Sequence, residues 1–402
     1  MKNIIVIGAG QAGAAVAAKL RSLGYDGALT LIGEESAPPY QRPPLSKAYL
    51  MGEIGAERLW LRAPEFYTDH AISLKLGHKV TGINRADRTV TLGDETLAYD
   101  TLVLTTGSQP RRLPAAIGGA LKGVYTVRSL ADVDAMRAEF AKGRRVVIVG
   151  GGYIGLEAAA VAAKLGLDVT VLEMAPRILQ RVAAPETSDY FRALHRLHGV
   201  KILESTGLER LLGDGHVTGA RLADGREIPA DFVIAGVGIV PGTELAELAG
   251  LTLENGIKTD EHGRTSDPDI WAAGDCASFP HQGGRLRLES VGNAIDQAEL
   301  VAANILGAAQ AYHVKPWFWS DQFDCKLQIA GLNTGYDTIV TRHGEDNSVS
   351  FWYFKGPSLL AVDAMNDPRA YMVGKRLIES GKSPEKSAIQ NQETDLKALL
   401  KA

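Results

Sequence analysis

The chain has 402 residues, 45% of them hydrophobic and 22% charged, with a formal net charge of -4. At about 150 residues per domain this length calls for two or three domains with sizeable cores, and the small negative charge argues against a general nucleic-acid binder. The two cysteines, Cys276 and Cys325, lie far apart and in no C-x-x-C pair, which argues against a disulfide framework, a structural zinc site and an adjacent redox dithiol.

At the N-terminus the apolar run Ile4-Ile5-Val6-Ile7 starts after three residues and stops at Gly8. It is too short for a secretory signal. No stretch of about 20 residues is apolar and uncharged, so no membrane span is expected. A cytoplasmic protein is the simplest reading.

Residues 4–24 read IIVIGAGQAGAAVAAKLRSLG, and residues 146–166 read VVIVGGGYIGLEAAAVAAKLG. Each copy predicts a β-branched strand, a G-x-G-x-x-G turn and an Ala-rich helix. The glycines are Gly8, Gly10 and Gly13, then Gly150, Gly152 and Gly155. The first glycine permits the tight turn, the second lets backbone approach a pyrophosphate, and the third lets helix pack on strand. The helix N-terminus offers free N–H groups and partial positive charge to phosphates. A second strand follows each helix and ends in an acid, Glu34 in the first copy and Glu173 in the second. Such an acid accepts hydrogen bonds from ribose hydroxyls. Two complete copies predict two dinucleotide sites.

Between and after the copies the pattern stays α/β. Residues 99–106 predict a strand closed by Gly107. Ser129 and Asp132 mark a helix start, with Asp in place of the usual Glu or Gln. Residues 231–240 predict a strand broken by Gly236 and Gly238, and residues 264–276 a turn and a short strand ending at Gly274-Asp275. Ser290 is a candidate N-cap for a helix through Ile305. From about residue 314 aromatics cluster, and alternating segments predict an antiparallel sheet followed by helices. The fold class is therefore α/β, with two Rossmann-like dinucleotide-binding domains and a C-terminal α+β domain.

These motifs, with PPYQRPPLSKAYL (38–50), YDTLVLTTGSQPR (99–111), AGVGIVP (235–241), TSDPDIWAAGDC (265–276), ESVGNAIDQA (289–298) and PWFWSDQFD (316–324), span nearly the whole chain. The sequence resembles the FAD-dependent, NADH-oxidising ferredoxin reductases that serve bacterial haem monooxygenases and Rieske dioxygenases. They belong to the pyridine nucleotide-disulfide oxidoreductase superfamily but lack the redox disulfide. The resemblance implies a discontinuous FAD domain (1–107 and 236–313), an inserted NADH domain (108–235) and a C-terminal domain (314–402) on the flavin and ferredoxin side. It also implies a monomer or weak dimer.

By the same resemblance FAD would meet Gly8, Gly10, Ala12, Gly13, Glu34, Arg42, Lys47, Val80, Thr106, Gly107, Arg128 and Asp275. Glu35 adjoins Glu34, and the choice between the two carboxylates stays open. The helix starting at Val291 would aim its N-terminus at the flavin, favouring negative charge there by about 0.3–1 kcal/mol. NADH would meet Gly150, Gly152, Tyr153, Ile154, Gly155, Glu173 and Gly238. A carboxylate at Glu173 selects NADH over NADPH, because it would repel a 2′-phosphate. Arg177, four residues on, is a cation that could accommodate that phosphate.

In relatives the positions of Lys47 and Glu157 form an ion pair beside flavin N5, and Trp319 lies near the flavin. These three are the candidate catalytic residues, while Trp317 and Phe318 are expected to be core. Related disulfide reductases carry C-x-x-x-x-C or C-x-x-C pairs, and NADH oxidases a lone cysteine where this chain reads Pro43-Pro44-Leu45-Ser46-Lys47. Electrons should therefore leave the flavin directly, one at a time, to an acidic 2Fe–2S ferredoxin and onward to an oxygenase. Lys326, Arg342, Lys375 and Arg376 are candidate docking cations. No histidine spacing suggests a metal. Two alternatives stay open: a flavoprotein with another partner (of rubredoxin reductase or apoptosis-inducing-factor type), and a redox-responsive binding protein.

Overall fold

The computed structural model describes residues 2–345 and 348–401. By internal packing the chain divides into two units. One comprises Met1–Arg42, Ala56–Gln109 and Ile239–Lys315; the other comprises Pro43–Gly55, Pro110–Gly238 and Pro316–Ala402.

The first unit is built on a five-stranded parallel sheet. Its order is Ile270–Ala272, Thr101–Leu104, Ile4–Ile7, Leu29–Gly33, Ile72–Leu76. The central strand reads Ile-Ile-Val-Ile and is buried on both faces, as a parallel strand covered on either side must be. The strand order runs outward to opposite sides of it, so the crevice at its C-terminal end is the switch point where such sheets take ligands. The helix Gln11–Ser22 leaves this crevice and packs on the helix Val291–Ile305. Ala17, Ala298 and Ala302 are fully buried, and their small side chains permit a close approach. A small antiparallel sheet (Val80–Asn84, Thr89–Leu92, Glu95–Ala98) completes the predicted FAD segment.

The second unit repeats the parallel sheet in the order Lys201–Leu203, Asp168–Leu172, Arg145–Val149, Phe232–Ala235, Val124–Tyr125. Its nucleotide helix is Tyr153–Lys164. The start at Ser129 is a reciprocal capping box: Asp132 N–H donates to Ser129 Oγ, and Ser129 N–H to Asp132 Oδ2. The same unit holds a five-stranded antiparallel sheet, Trp317–Gln322, Cys325–Gly331, Ser358–Met365, Val349–Lys355, Thr338–His343. The helices Pro368–Glu379 and Lys386–Gln390 follow. This agrees with the α/β class and the C-terminal α+β expectation.

Three sequence expectations are corrected here. Trp317 and Phe318 are half-buried rather than core, because Trp317–Gln322 is an edge strand and exposes part of both faces. Arg342 is not a docking charge: it is buried, and its guanidinium donates to the carbonyls of Ile389, Asn391, Gln392 and Thr394. There it ties the C-terminal segment to the sheet. Lys375 pairs with Glu379 on its own helix, and Lys326 and Arg376 are exposed.

Candidate active site

In the first unit the three glycines differ in what surrounds them. A β-carbon at Gly8 would overlap the Thr105 carbonyl oxygen, and one at Gly13 would overlap the Gly8 carbonyl oxygen. At Gly10 a β-carbon would meet nothing within 4 Å. No side chain caps the helix that begins at Gln11. The turn thus presents bare backbone to open space, which fits the pyrophosphate of FAD. Thr105, which sequence reasoning missed, braces the turn by donating to the carbonyls of Ile7 (3.0 Å) and Gly8 (2.9 Å). Ala12 is buried, 3.0 Å from where Gly274 would carry a β-carbon.

Of the two acids after the second strand, Glu35 is occupied. Tyr40 OH donates to it at 2.5 Å and Arg42 at 2.7 Å. Glu34 is 63% exposed and its ion pair with Lys79 is 3.8 Å long, so it is the carboxylate open to a ribose. Asp275 Oδ2 accepts from Ser108 Oγ at 2.8 Å. Thr106 Oγ1 donates to the carbonyl of Gly242, and the Gly107 carbonyl accepts from Gly242 N–H. Val80 is buried. Val291 opens a helix capped by Ser290, whose Oγ accepts from Asn293 N–H.

The second unit repeats the turn. β-Carbons at Gly150 and Gly155 would overlap the carbonyl oxygens of Gly236 and Gly150, whereas Gly152 faces open space. The helix beginning at Tyr153 again lacks a side-chain cap, which fits a second dinucleotide. Glu173 spans the turn, accepting from Gly151 N–H (2.7 Å) and Ala175 N–H (2.8 Å). Arg177 is turned away from it and donates to Ser188 Oγ (2.6 Å) and the Gln180 carbonyl (3.4 Å). Ile154 is exposed. Tyr153 packs on Phe318 with ring centroids 4.9 Å apart. Gly238 and Arg128 fall in this unit, and Arg128 N–H donates to Asp132 Oδ2.

Lys47 and Glu157, 110 positions apart in the chain, also come together in the second unit. Lys47 Nζ lies 2.9 Å from Glu157 Oε1. Ser46 Oγ donates to Glu157 Oε2 and Ser320 Oγ to Oε1, both at 2.7 Å. Glu157 is only 5% exposed. At an effective dielectric of about 20 the pair attracts by about 6 kcal/mol, and much of this offsets desolvation. Trp319 points to the opposite face of its strand from Ser320 and stacks on Trp317, centroids 5.3 Å apart and planes at 18°.

Residues 2–298 match the pyridine nucleotide-disulphide oxidoreductase family, and residues 317–400 match the reductase C-terminal family. The chain belongs to the pyridine nucleotide-disulphide oxidoreductase family. It is 44% identical over 405 residues to rhodocoxin reductase of Rhodococcus erythropolis, covering 99% of this chain and 94% of that one. It is 42% identical over 409 residues to putidaredoxin reductase of Pseudomonas putida, covering 100% and 97%. Its fold superposes on the reductase in the crystal structure of the covalent putidaredoxin reductase–putidaredoxin complex with a TM-score of 0.96 at 41% identity, covering 100% of this chain and 98% of that one.

Pyridine nucleotide-disulphide oxidoreductases of this kind use FAD and NAD(P)H, and this chain is an oxidoreductase built for both. Unlike the disulphide members, it has no cysteine in the sequence of either glycine turn. Cys276 and Cys325 are buried and unpaired. Burial raises both thiol pKa values, that of Cys325 to about 12, so neither is a ready thiolate. Among the described residues no helix is long and apolar enough to cross a membrane. Two further groups near the second turn escaped the sequence reading. Met174, beside Glu173, is 80% exposed, and the Arg181 guanidinium lies 3.5 Å from where Gly238 would carry a β-carbon. Neither belongs to a motif that spacing reveals.

Proposed function

We propose that the protein is a cytoplasmic NADH:ferredoxin reductase that passes electrons to a 2Fe–2S ferredoxin serving an oxygenase. The observation that carries this reading is two bare glycine turns in one chain, neither of which contains a cysteine. The balance is NADH plus two oxidised ferredoxins giving NAD⁺, a proton and two reduced ferredoxins. In this reading residues 1–107 and 236–313 hold FAD, residues 108–235 hold NADH, and residues 314–402 face the partner. Bound FAD supplies the step from hydride chemistry to single-electron transfer. Gly10 and Gly152 admit the two pyrophosphates, and Glu34 and Glu173 hold the two riboses. Lys47 and Glu157 fix the nicotinamide in a reactive approach, and Trp319 shields the path to the ferredoxin.

The test is stopped-flow reduction by NADH followed by titration with purified carriers. Addition of NADH should bleach the visible absorption, and a 2Fe–2S ferredoxin should then accelerate NADH consumption in a salt-sensitive way. Acceleration by a rubredoxin alone would overturn the partner. Slow turnover with every carrier, joined to an NADH-dependent change in oligomer size, would point to a redox-responsive binding protein instead.

Coenzyme choice gives a further check. Arg177 is engaged by Ser188 Oγ and the Gln180 carbonyl, so it is not placed to compensate a 2′-phosphate beside Glu173. Glu173→Ala should narrow the NADH/NADPH ratio of kcat/KM by about tenfold or more. Part of the loss with NADH comes from freeing the Gly151 N–H, and Glu173→Gln, which keeps an acceptor there, separates that part from charge. An unchanged ratio in both variants would refute the role.

A further inference from the structure

Buried polar side chains run in an unbroken line away from Glu157. Ser320 Oγ is 2.7 Å from Glu157 Oε1, Gln322 Nε2 is 3.1 Å from Ser320 Oγ, and Gln322 Oε1 is 2.8 Å from His195 Nε2. Ser320, Gln322 and His195 are each 0% exposed. Strand alternation produces the row: residues 318, 320 and 322 share one face. Along it Phe318 meets Tyr153, Ser320 meets Glu157 and Gln322 meets His195.

The line has a direction. A carboxylate paired with Lys47 can only accept, so Ser320 donates to it. The Ser320 oxygen then accepts from the Gln322 amide N–H, and the Gln322 carbonyl is left facing His195. His195 must therefore carry its proton on Nε2, with Nδ1 bare. Nδ1 is in fact buried with no hydrogen-bond partner among the described residues. A proton there would leave a donor stranded and set a lone pair against the Gln322 carbonyl, two faults at once.

We propose that His195 and Gln322 are positioning residues: the imidazole tautomer fixes the Gln322 amide, the amide fixes the Ser320 proton on Glu157, and the carboxylate is thereby held against Lys47. This rests on the reading of Lys47 and Glu157 as the reaction centre. Phe323, the next residue, packs on His195 and stacks on His198, centroids 5.0 and 3.7 Å apart, which restricts the imidazole.

Three variants and one spectrum test it. In Gln322→Glu the new carboxylate accepts from both neighbours, so the Ser320 proton turns away from Glu157. In Gln322→Leu, Ser320 remains free to donate to Glu157, while the His195 N–H is stranded. With NADH and ferricyanide, kcat should fall about tenfold in Ser320→Ala and in Gln322→Glu, and by less in Gln322→Leu. The thermal midpoint should fall most in Gln322→Leu. A purely structural role makes kcat follow stability, so the lowest kcat in Gln322→Leu would overturn the proposal. Independently of turnover, nitrogen NMR of the histidine-labelled holoprotein at neutral pH should show His195 protonated at Nε2 alone. Protonation at Nδ1 would overturn it even if a variant fails to fold. Ferricyanide keeps the partner out of the test. Failure with every ferredoxin would sink the proposed function and leave the tautomer reading standing.

Discussion

Gly10→Ala is expected to fold normally yet bind FAD about 10- to 100-fold more weakly, whereas Gly13→Ala is expected to lose the fold of its unit. The two substitutions add the same methyl group three residues apart. Gly10 has φ -94° and ψ -160°, extended backbone that alanine adopts freely, and its β-carbon would enter empty space. Only a ligand drawn against that backbone would register the change, through loss of one charge-assisted contact of about 1.5–3 kcal/mol. At Gly13 the methyl would overlap the Gly8 carbonyl oxygen, which is backbone and has little freedom to yield. Overpacking of this kind costs about 3 kcal/mol or more. In the second unit Gly152→Ala should raise the KM for NADH by a similar factor and leave FAD bound. Flavin absorbance of the purified protein, FAD titration of the apoprotein and circular dichroism decide the matter. If Gly10→Ala retained full FAD affinity, the first turn would not be the pyrophosphate cradle.

The glycine turns were legible in the sequence because their constraints are local: strand, turn and helix fall within 21 residues, and sterics dictate each glycine. The reaction centre was legible only through resemblance. Nothing in composition links Lys47 to Glu157, and the link exists because a loop, a helix and an edge strand deliver Lys47, Glu157 and Ser320 to one place. Long-range polar pairing was the least visible layer. Arg342 reads as a surface cation until its four carbonyl partners are seen, and His195 reads as any histidine on an amphipathic helix. Trp317 and Phe318 misled for the converse reason, since aromatic content predicts core and says nothing of a strand's place at a sheet edge.

Two buried groups of the second unit should give the protein opposed pH dependences that nearly cancel. His195 is held neutral by burial, its pKa lowered from 6.5 to about 4; the Gln322 hydrogen bond opposes this shift and His198 adds to it. Between those values the unfolded chain binds the proton and the folded one does not, so stability is present above pH 6.5 and is lost as pH falls toward 4. Asp363, 1% exposed, moves the other way. Burial raises its pKa from 3.8 to about 6, against the lowering effect of hydrogen bonds from Tyr353 OH and Thr187 Oγ1. Here the folded state holds the proton that the unfolded chain releases, so stability is lost as pH rises from 3.8 to 6. Each effect is worth about 3 kcal/mol. Single variants should unmask them. His195→Gln keeps an N–H for Gln322 but cannot charge, so relative to the unmodified protein it should gain thermal midpoint as pH falls from 6.5 to 4. Asp363→Asn keeps an acceptor for Tyr353 and Thr187 but cannot ionise, so it should gain as pH rises from 4 to 6. The swing in each difference curve should be about 6–12 °C for the melting of this unit. Thermal melts at half-unit pH steps measure it. Difference curves of the same sign in the two variants, or flat ones, would show that these groups do not titrate out of step with the unfolded chain.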